Sequence, residues 1–391
     1  MKKWLLALLL LPILLGAAPQ LSPQSEIRVI TCGPYQGELY SAFGHSAIYV
    51  KDAATGTNRL YNYGVFNFNQ PNFYLNFAKG HLNYRLAVMD YDRFVQSYIH
   101  ENRFVHEQVL NLDASQKQRL YDFLEWNAQD ENMYYMYDYF YDNCATRIRD
   151  ALKHTFGDSI SFDASHISTS YSIRDLCDIY LQQQPWGDAG IDLCLGLPMD
   201  KAATPWMYMF LPDYVEAALN NAYIKDAKGT RPLVQQTIVT YEAQAIEKER
   251  SFNTPLNWLT GCLTVGLLIT FWGYKRGKPL YIFDVALFTL VGLLGWFLLA
   301  LWLATDHKAA AQNMNILWAL PLHFPLALFL LKKSKPRLLR LVFGLSAALN
   351  ILLLVFWVLL PQDLNNDFIP LVLLLAVRSF HLFKRLGRPN A

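Results

Sequence analysis

Two short stretches of this sequence carry residue types that together can make and break acyl bonds: YDNCATRIRDAL at 141–152 and FGHSAIYV at 43–50. In the first, Asp142 and Asn143 are helix-capping types, and Cys144, Ile148, Ala151 and Leu152 recur at helical spacing, which places Cys144 in the first turn of a helix. A thiolate there gains from the helix dipole and from unpaired backbone N–H groups, so its pKa falls and a nucleophile exists near neutral pH. In the second stretch His45 opens an alternating run, with Ala47 and Tyr49 on its own face and Ser46, Ile48 and Val50 on the other, as in a half-buried strand. A strand histidine facing a helix-start cysteine is a nucleophile–base pair. Either residue alone is more often structural, a small buried thiol or a hydrogen-bonded core histidine; the two motifs in combination favour chemistry.

The elements around them must bring the pair together. Residues 25–110 read mainly as strands, and a turn at Ala54–Asn58 makes 45–50 and 59–66 a hairpin. Asn62 then lies beside the strand of His45 and is the candidate third residue that holds the imidazole tautomer, with simple satisfaction of a strand edge as the alternative. His81, His100 and His106 have no metal-ligand spacing with any cysteine, so no metal site is expected. Asp113 and Gln116 cap a core helix over 114–128. The aromatic run Tyr134–Tyr141 before the cysteine reads as an acyl-chain groove or as ordinary core, and Trp206–Phe210 as a lid or as core. Arg147 is a solvated helix charge or a phosphate contact. Cys32, near His45 in sequence, is a rival nucleophile without a helix-start context.

At 391 residues with net charge +2 and mean hydropathy +0.12, the chain is long enough for two domains and too apolar for an ordinary soluble enzyme, and nothing in its charge suggests nucleic acid. Lys2, Lys3, the apolar run to Leu15 and Gly16-Ala17-Ala18 have the form of a secretory signal peptide over 1–18, with an uncleaved anchor as the alternative because Pro19 follows. Of the five cysteines, Cys262 sits in an apolar stretch, and Cys177 and Cys194 could pair in an oxidising compartment. Five apolar stretches, about 255–274, 280–303, 314–331, 338–360 and 368–383, each approach the length of a membrane helix. Basic residues follow the first, third and fifth, so by the positive-inside rule 19–254, 304–313 and 361–367 lie on the outer face. His307, Asn313 and Asn315 in that outer region are candidate substrate contacts or simply solubilising polar groups.

A histidine strand, a second strand and then Asn-Cys heading a helix resembles the permuted papain-like fold of NlpC-type peptidases and lecithin:retinol acyltransferase. More closely, GELYSAFGHSAIYV, YNYGVFNF and DNCATRIRDAL, followed by membrane helices, resemble the Lnb lipoprotein N-acyltransferase family. The resemblance implies an α+β, permuted papain-like extracytoplasmic domain over 19–231, a connector over 232–254, an all-α five-helix transmembrane bundle over 255–383 and a cytoplasmic tail over 384–391. It implies a membrane-bound, multi-pass acyltransferase of the bacterial inner membrane, with its catalytic domain on the periplasmic side. That enzyme would move a fatty acyl group from a membrane phospholipid, through a Cys144 thioester, to the N-terminal amine of a diacylated lipoprotein. Cys144, His45 and Asn62 would be catalytic, Asn143, Arg147, His307, Asn313 and Asn315 would contact substrate, and no cofactor would be needed. A membrane-tethered NlpC-type cysteine peptidase or amidase acting on cell-wall peptides would use the same catalytic residues.

Overall fold

The computed structural model describes residues 19–66, 69–227, 229–245, 251–276, 280–332, 334 and 336–387. The signal peptide expected at 1–18 lies outside the described residues, as do Lys278, Lys333, Lys335 and Arg388 of the basic flanks.

Short runs of β-branched and aromatic residues form strands β1 (Glu26–Cys32), β2 (His45–Asp52), β3 (Thr57–Val65), β4 (Asn83–Met89), β5 (Val105–Leu110) and β6 (Tyr134–Met136). A small sheet holds β7 (Ile160–Phe162), β8 (Ala222–Asp226) and β9 (Gly229–Pro232), and β10 (Val234–Tyr241) returns to the edge of the large sheet, whose order is β10-β5-β1-β2-β3-β4-β6. Between and after the strands lie α1 (Phe73–Lys79), α2 (Tyr91–His100), α3 (Ala114–Asn127), α4 (Cys144–Phe156), α5 (Ile173–Leu181), α6 (Pro185–Cys194), α7 (Pro205–Tyr208) and α8 (Pro212–Asn220). The expected hairpin forms, with Ile48 opposite Tyr61 and Asp52 opposite Thr57. Its two faces bury different partners: Ile48 and Val50 join α3 and α4 residues in the main core, and Ala47 and Tyr49 join Phe94 and Val95 of α2. The capping box of Asp113 and Gln116 starts α3 as read from the sequence.

One expectation is corrected here and one open alternative is decided. Val234–Tyr241, placed in a connector between the two domains over 232–254, is a strand of the large sheet paired with β5, Thr237 opposite Gln108. Its β-branched residues favour extended backbone, and a partner more than a hundred residues upstream supplies the ladder. Of the two readings of Trp206–Phe210, lid or core, the structure bears out core: Tyr208, Met209 and Phe210 are buried, and the guanidinium of Arg149 lies 4.2 Å over the Trp206 ring.

Among the described residues, four helices are long and apolar enough to cross a membrane, within α9 (Pro255–Arg276), α10 (Tyr281–Leu303), α12 (Pro336–Val355) and the end segment Asn366–Arg385, whose α-helical part is α13 (Ile369–Arg385). The third apolar stretch, 314–331, departs from a single spanning helix. It makes a 3-10 turn at Met314–Leu317 and then α11 (His323–Leu331), nine residues long, or about 14 Å against the roughly 30 Å of a bilayer core. The cause is close backbone packing on α10. A Cβ on Gly295 would fall 1.8 Å from Ala319 O and one on Gly292 2.2 Å from Phe324 N, so irregular backbone is buried against protein and shielded from lipid. Deeper in the bundle Arg378 of α13 grips Asp284 of α10 at 2.7 and 2.8 Å, both side chains essentially inaccessible.

The outer loops of the bundle are fastened to the sheet domain. Asp306 N donates to Lys79 O at 2.9 Å, Gly196 N donates to Ala309 O at 2.7 Å, and Gln362 Nε2 donates to Leu195 O at 3.0 Å. Loops 304–313 and 361–367 therefore share a side with the sheet domain, as the distribution of basic residues requires.

Candidate active site

Cys144 is the first residue of α4 because Asn143 ends the preceding extended chain in a cap. The Asn143 Oδ1 accepts the Ala145 and Thr146 N–H groups at 2.9 Å each, while its Nδ2 donates to Tyr139 O and Phe210 O at 2.8 Å each. Thr146 Oγ1 in return accepts from Asn143 N at 2.7 Å, completing a reciprocal cap. With its side-chain polar atoms so engaged, Asn143 fixes the start of α4 and with it Cys144, and its side chain is taken up by these contacts within the protein.

His45, first residue of β2, lies where the sheet ends, and its ring reaches the Cys144 sulfur there. Gly44 before it has φ +80°, and a Cβ would stand 2.8 Å from Cys32 O, so the chain turns into β2 where only glycine fits well. The Nε2 of His45 lies 2.6 Å from Asn62 Oδ1. Asn62 is fixed in turn, its Nδ2 donating to Met89 Sδ at 3.2 Å. An acceptor at Nε2 requires the proton there, which leaves Nδ1 for the sulfur. Tyr98 stacks parallel to the imidazole, with centroids 6.1 Å apart, and Phe94 lies beside it on the same side, 6.2 Å from the imidazole and 4.8 Å from Tyr98.

Electrostatics favour a thiolate–imidazolium pair. Burial alone would push the Cys144 thiol up, but the adjacent His45 charge and hydrogen bond, with N–H groups of Ser46 and Ala145, bring it below its ordinary value. Burial likewise opposes charge on His45, and the Cys144 thiolate with the Asn62 hydrogen bond outweighs it, so the imidazole pKa rises. Cys32 sits directly across the ladder from His45, yet it is buried and desolvation pushes its thiol far up, leaving it protonated. Sequence reasoning found Cys144, His45 and Asn62, which the structure brings together. It missed Tyr98 and Phe94, whose i, i+4 spacing on an amphipathic helix was the available signal.

The other expected contacts are engaged elsewhere. Arg147 forms a two-pronged ion pair with Asp142 and covers the Tyr135 ring at 3.9 Å. Asn313 Nδ2 donates to Leu193 O at 2.8 Å, and buried Asn315 accepts from Trp318 Nε1 at 3.0 Å while its amide faces the carbonyls of Asp192 and Leu193. His307 Nε2 bonds Phe77 O at 3.1 Å. These three residues tie the outer loop to the sheet domain, a role that accounts for their polarity without substrate. Cys177 and Cys194 are both free thiols.

One group of described residues has donors for a cation: Asp178, Asp188 and Asp192 bring carboxylate oxygens within 4.8 Å of one another. Burial and mutual repulsion raise Asp178 to about 8 and Asp188 to about 6. Protons, together with the guanidinium of Arg174 on Asp192 at 2.8 Å, compensate the cluster, which also receives Asn365 of the outer loop.

Residues 20–176 match the family model of the Lnb N-terminal periplasmic domain, and residues 247–386 match that of the Lnb transmembrane domain. No curated protein and no solved structure matches the chain significantly.

Proposed function

Because the chain belongs to the Lnb family of membrane lipoprotein N-acyltransferases, we propose that Cys144 carries a fatty acyl group from a membrane phospholipid to the N-terminal amine of a diacylated lipoprotein. The observation that carries the reading is the Cys144–His45–Asn62 array at the head of α4, with the thiol pKa lowered despite burial. The Cys144 thiolate attacks the ester carbonyl carbon, and the tetrahedral oxyanion forms beside the Cys144 N–H, the first-turn donor of α4 that the Asn143 cap does not engage. One such donor contributes about 3–4 kcal/mol of transition-state stabilisation. As the C–O bond to glycerol breaks, His45 gives its Nδ1 proton to the departing alkoxide and a lysophospholipid leaves.

The thioester then meets the amine. His45 takes the amine's proton, the C–N bond forms, the C–S bond breaks, and the thiolate returns. Asn62 keeps the imidazole in the tautomer that serves both halves. The lipid already on the acceptor holds it in the same leaflet as the donor, which supports a location in the bacterial inner membrane with this domain on its periplasmic side.

The test is intact-mass analysis of the full-length chain in phospholipid vesicles. An acyl adduct on Cys144, absent in Cys144→Ser and discharged by a diacylated lipopeptide with a free amine, is the expected result. Cleavage of muropeptides with no acyl adduct from lipid would replace this reading with a peptidase.

A further inference from the structure

Helix α1 is out of character for a helix in water. Of its seven residues only Phe73 is buried, while Tyr74, Leu75 and Phe77 are 80, 53 and 40% exposed. Its far end is fastened to the membrane domain: Lys79 O accepts from Asp306 N at 2.9 Å, Phe77 O bonds His307 Nε2 at 3.1 Å, and His81 meets Asp306 at 3.0 Å. Asp306 lies three residues past Leu303, the outer end of α10. The apolar side chains of α1 are therefore held at the height where that helix leaves the bilayer.

A second apolar pair lies nearby at the same level. Tyr40, 63% exposed, sets its ring edge-on to Phe66 at 6.4 Å. Leu39 packs against Gly187 of α6, and the neighbouring Trp186 donates to Asn253 O at 3.1 Å, two residues before α9 begins.

From this apolar rim a file of rings runs inward. Phe73 stacks on Phe66 at 6.2 Å, Phe66 on Tyr84 at 5.0 Å, and Tyr84 on Tyr137 at 4.3 Å. Tyr137 ends at Gly64, where a Cβ would lie 3.6 Å from Tyr137 Cε2 and 3.6 Å from Cys144 Cβ.

We infer that α1 seats its exposed apolar side chains in the outer surface of the bilayer and that one acyl chain of a phospholipid leaves the leaflet there, lying along the Phe66–Tyr84–Tyr137 file to present its ester to Cys144. The inference rests on the acyl-transfer reading and specifies where the donor comes from. Continuity with the outer ends of α9 and α10 makes lipid the occupant: apolar side chains at that height meet acyl and headgroup boundaries, where aromatic rings are favoured. The ring faces of Phe66, Tyr84 and Tyr137 offer an acyl chain apolar surface.

The experiment uses the full chain in nanodiscs of phosphatidylethanolamine and phosphatidylglycerol doped with a phosphatidylcholine bearing a diazirine on one acyl chain. Irradiation and peptide mapping should place adducts on Tyr74, Leu75 and Phe77 as well as on α9 and α12, and leave Trp126, exposed on the far helix α3, unlabelled. In parallel, the double variant Tyr74→Asp, Leu75→Asp should slow acyl loading of Cys144 from vesicles at least tenfold, while iodoacetamide alkylates its Cys144 at the wild-type rate, showing an intact fold. Labelling that marks α9 and α12 but skips α1, or equal loading rates in variant and wild type, would overturn the inference even with acyl transfer intact. A variant that loads normally and slows only in discharge to the lipopeptide would assign the patch to the acceptor and overturn it too. Failure of the wild-type chain to acquire any acyl adduct would instead count against acyl transfer itself, independently of where the diazirine reacts.

Discussion

Replacing His45 by alanine isolates what sets the nucleophile. In the native chain the thiol pKa lies below its ordinary 9.0 although burial, the strongest influence, pushes it up; the His45 charge and hydrogen bond are the main opposing forces. Without them burial prevails over the Ser46 and Ala145 N–H groups, and the thiol pKa should rise above 9.0. A thiol whose pKa lies two or more units above the pH is about 1% thiolate or less, so alkylation at pH 7 should slow, by about tenfold for each unit the thiol pKa rises. The assay is the iodoacetamide rate at Cys144 from pH 5 to 9, followed by peptide mapping so that the other four thiols do not interfere. The sign for stability follows from the same directions. The imidazolium's contribution is complete below about 6.5 and fades as pH rises through its raised folded value. The thiolate's is complete above about 9.0 and fades as pH falls through its lowered folded value. The wild-type alkylation rate should therefore reach half its maximum at a lower pH than that of His45→Ala. A His45→Ala profile that superimposes on wild type would refute the reasoning, because the sulfur would then owe its state to the helix alone.

Asn62→Ala should lower acyl loading about 10- to 100-fold with little change in apparent affinity for vesicles, since the imidazole loses the partner that fixes its tautomer; a changed affinity with unchanged turnover would contradict this. Asn143→Ala removes a cap worth about 1 kcal/mol and leaves two buried carbonyls unpaired at about 1 kcal/mol or more each, so thermal unfolding of the purified chain should begin several degrees lower. Arg378→Met strands Asp284 and should destabilise the bundle by about 3–5 kcal/mol, while the double change with Asp284→Leu should recover most of the loss; both are readable as detergent-resistance midpoints.

Much of the site was legible in the sequence because it depends on local signals. The Asn-Cys cap, the alternation after His45 and the hairpin that places Asn62 each need only a dozen residues of context. What escaped depends on distant partners. Val234–Tyr241 is polar enough to pass for a connector until β5 supplies its ladder. Asn313 and Asn315 look available in a loop, but the carbonyls of Asp192 and Leu193, some 120 positions upstream, use them. The stretch 314–331 is apolar over a spanning length, and the glycine face of α10 explains why its backbone is not helical at residues 318–322.

The fastenings between the loops and the sheet domain have a kinetic corollary. A domain bonded to Asp306, Ala309 and Gln362 must break these contacts to swing relative to the bundle, which restricts how far Cys144 travels along the surface. Under the proposed acyl transfer the search for partners then falls to lateral diffusion of the lipids, and turnover should track membrane fluidity more closely than motion of the protein.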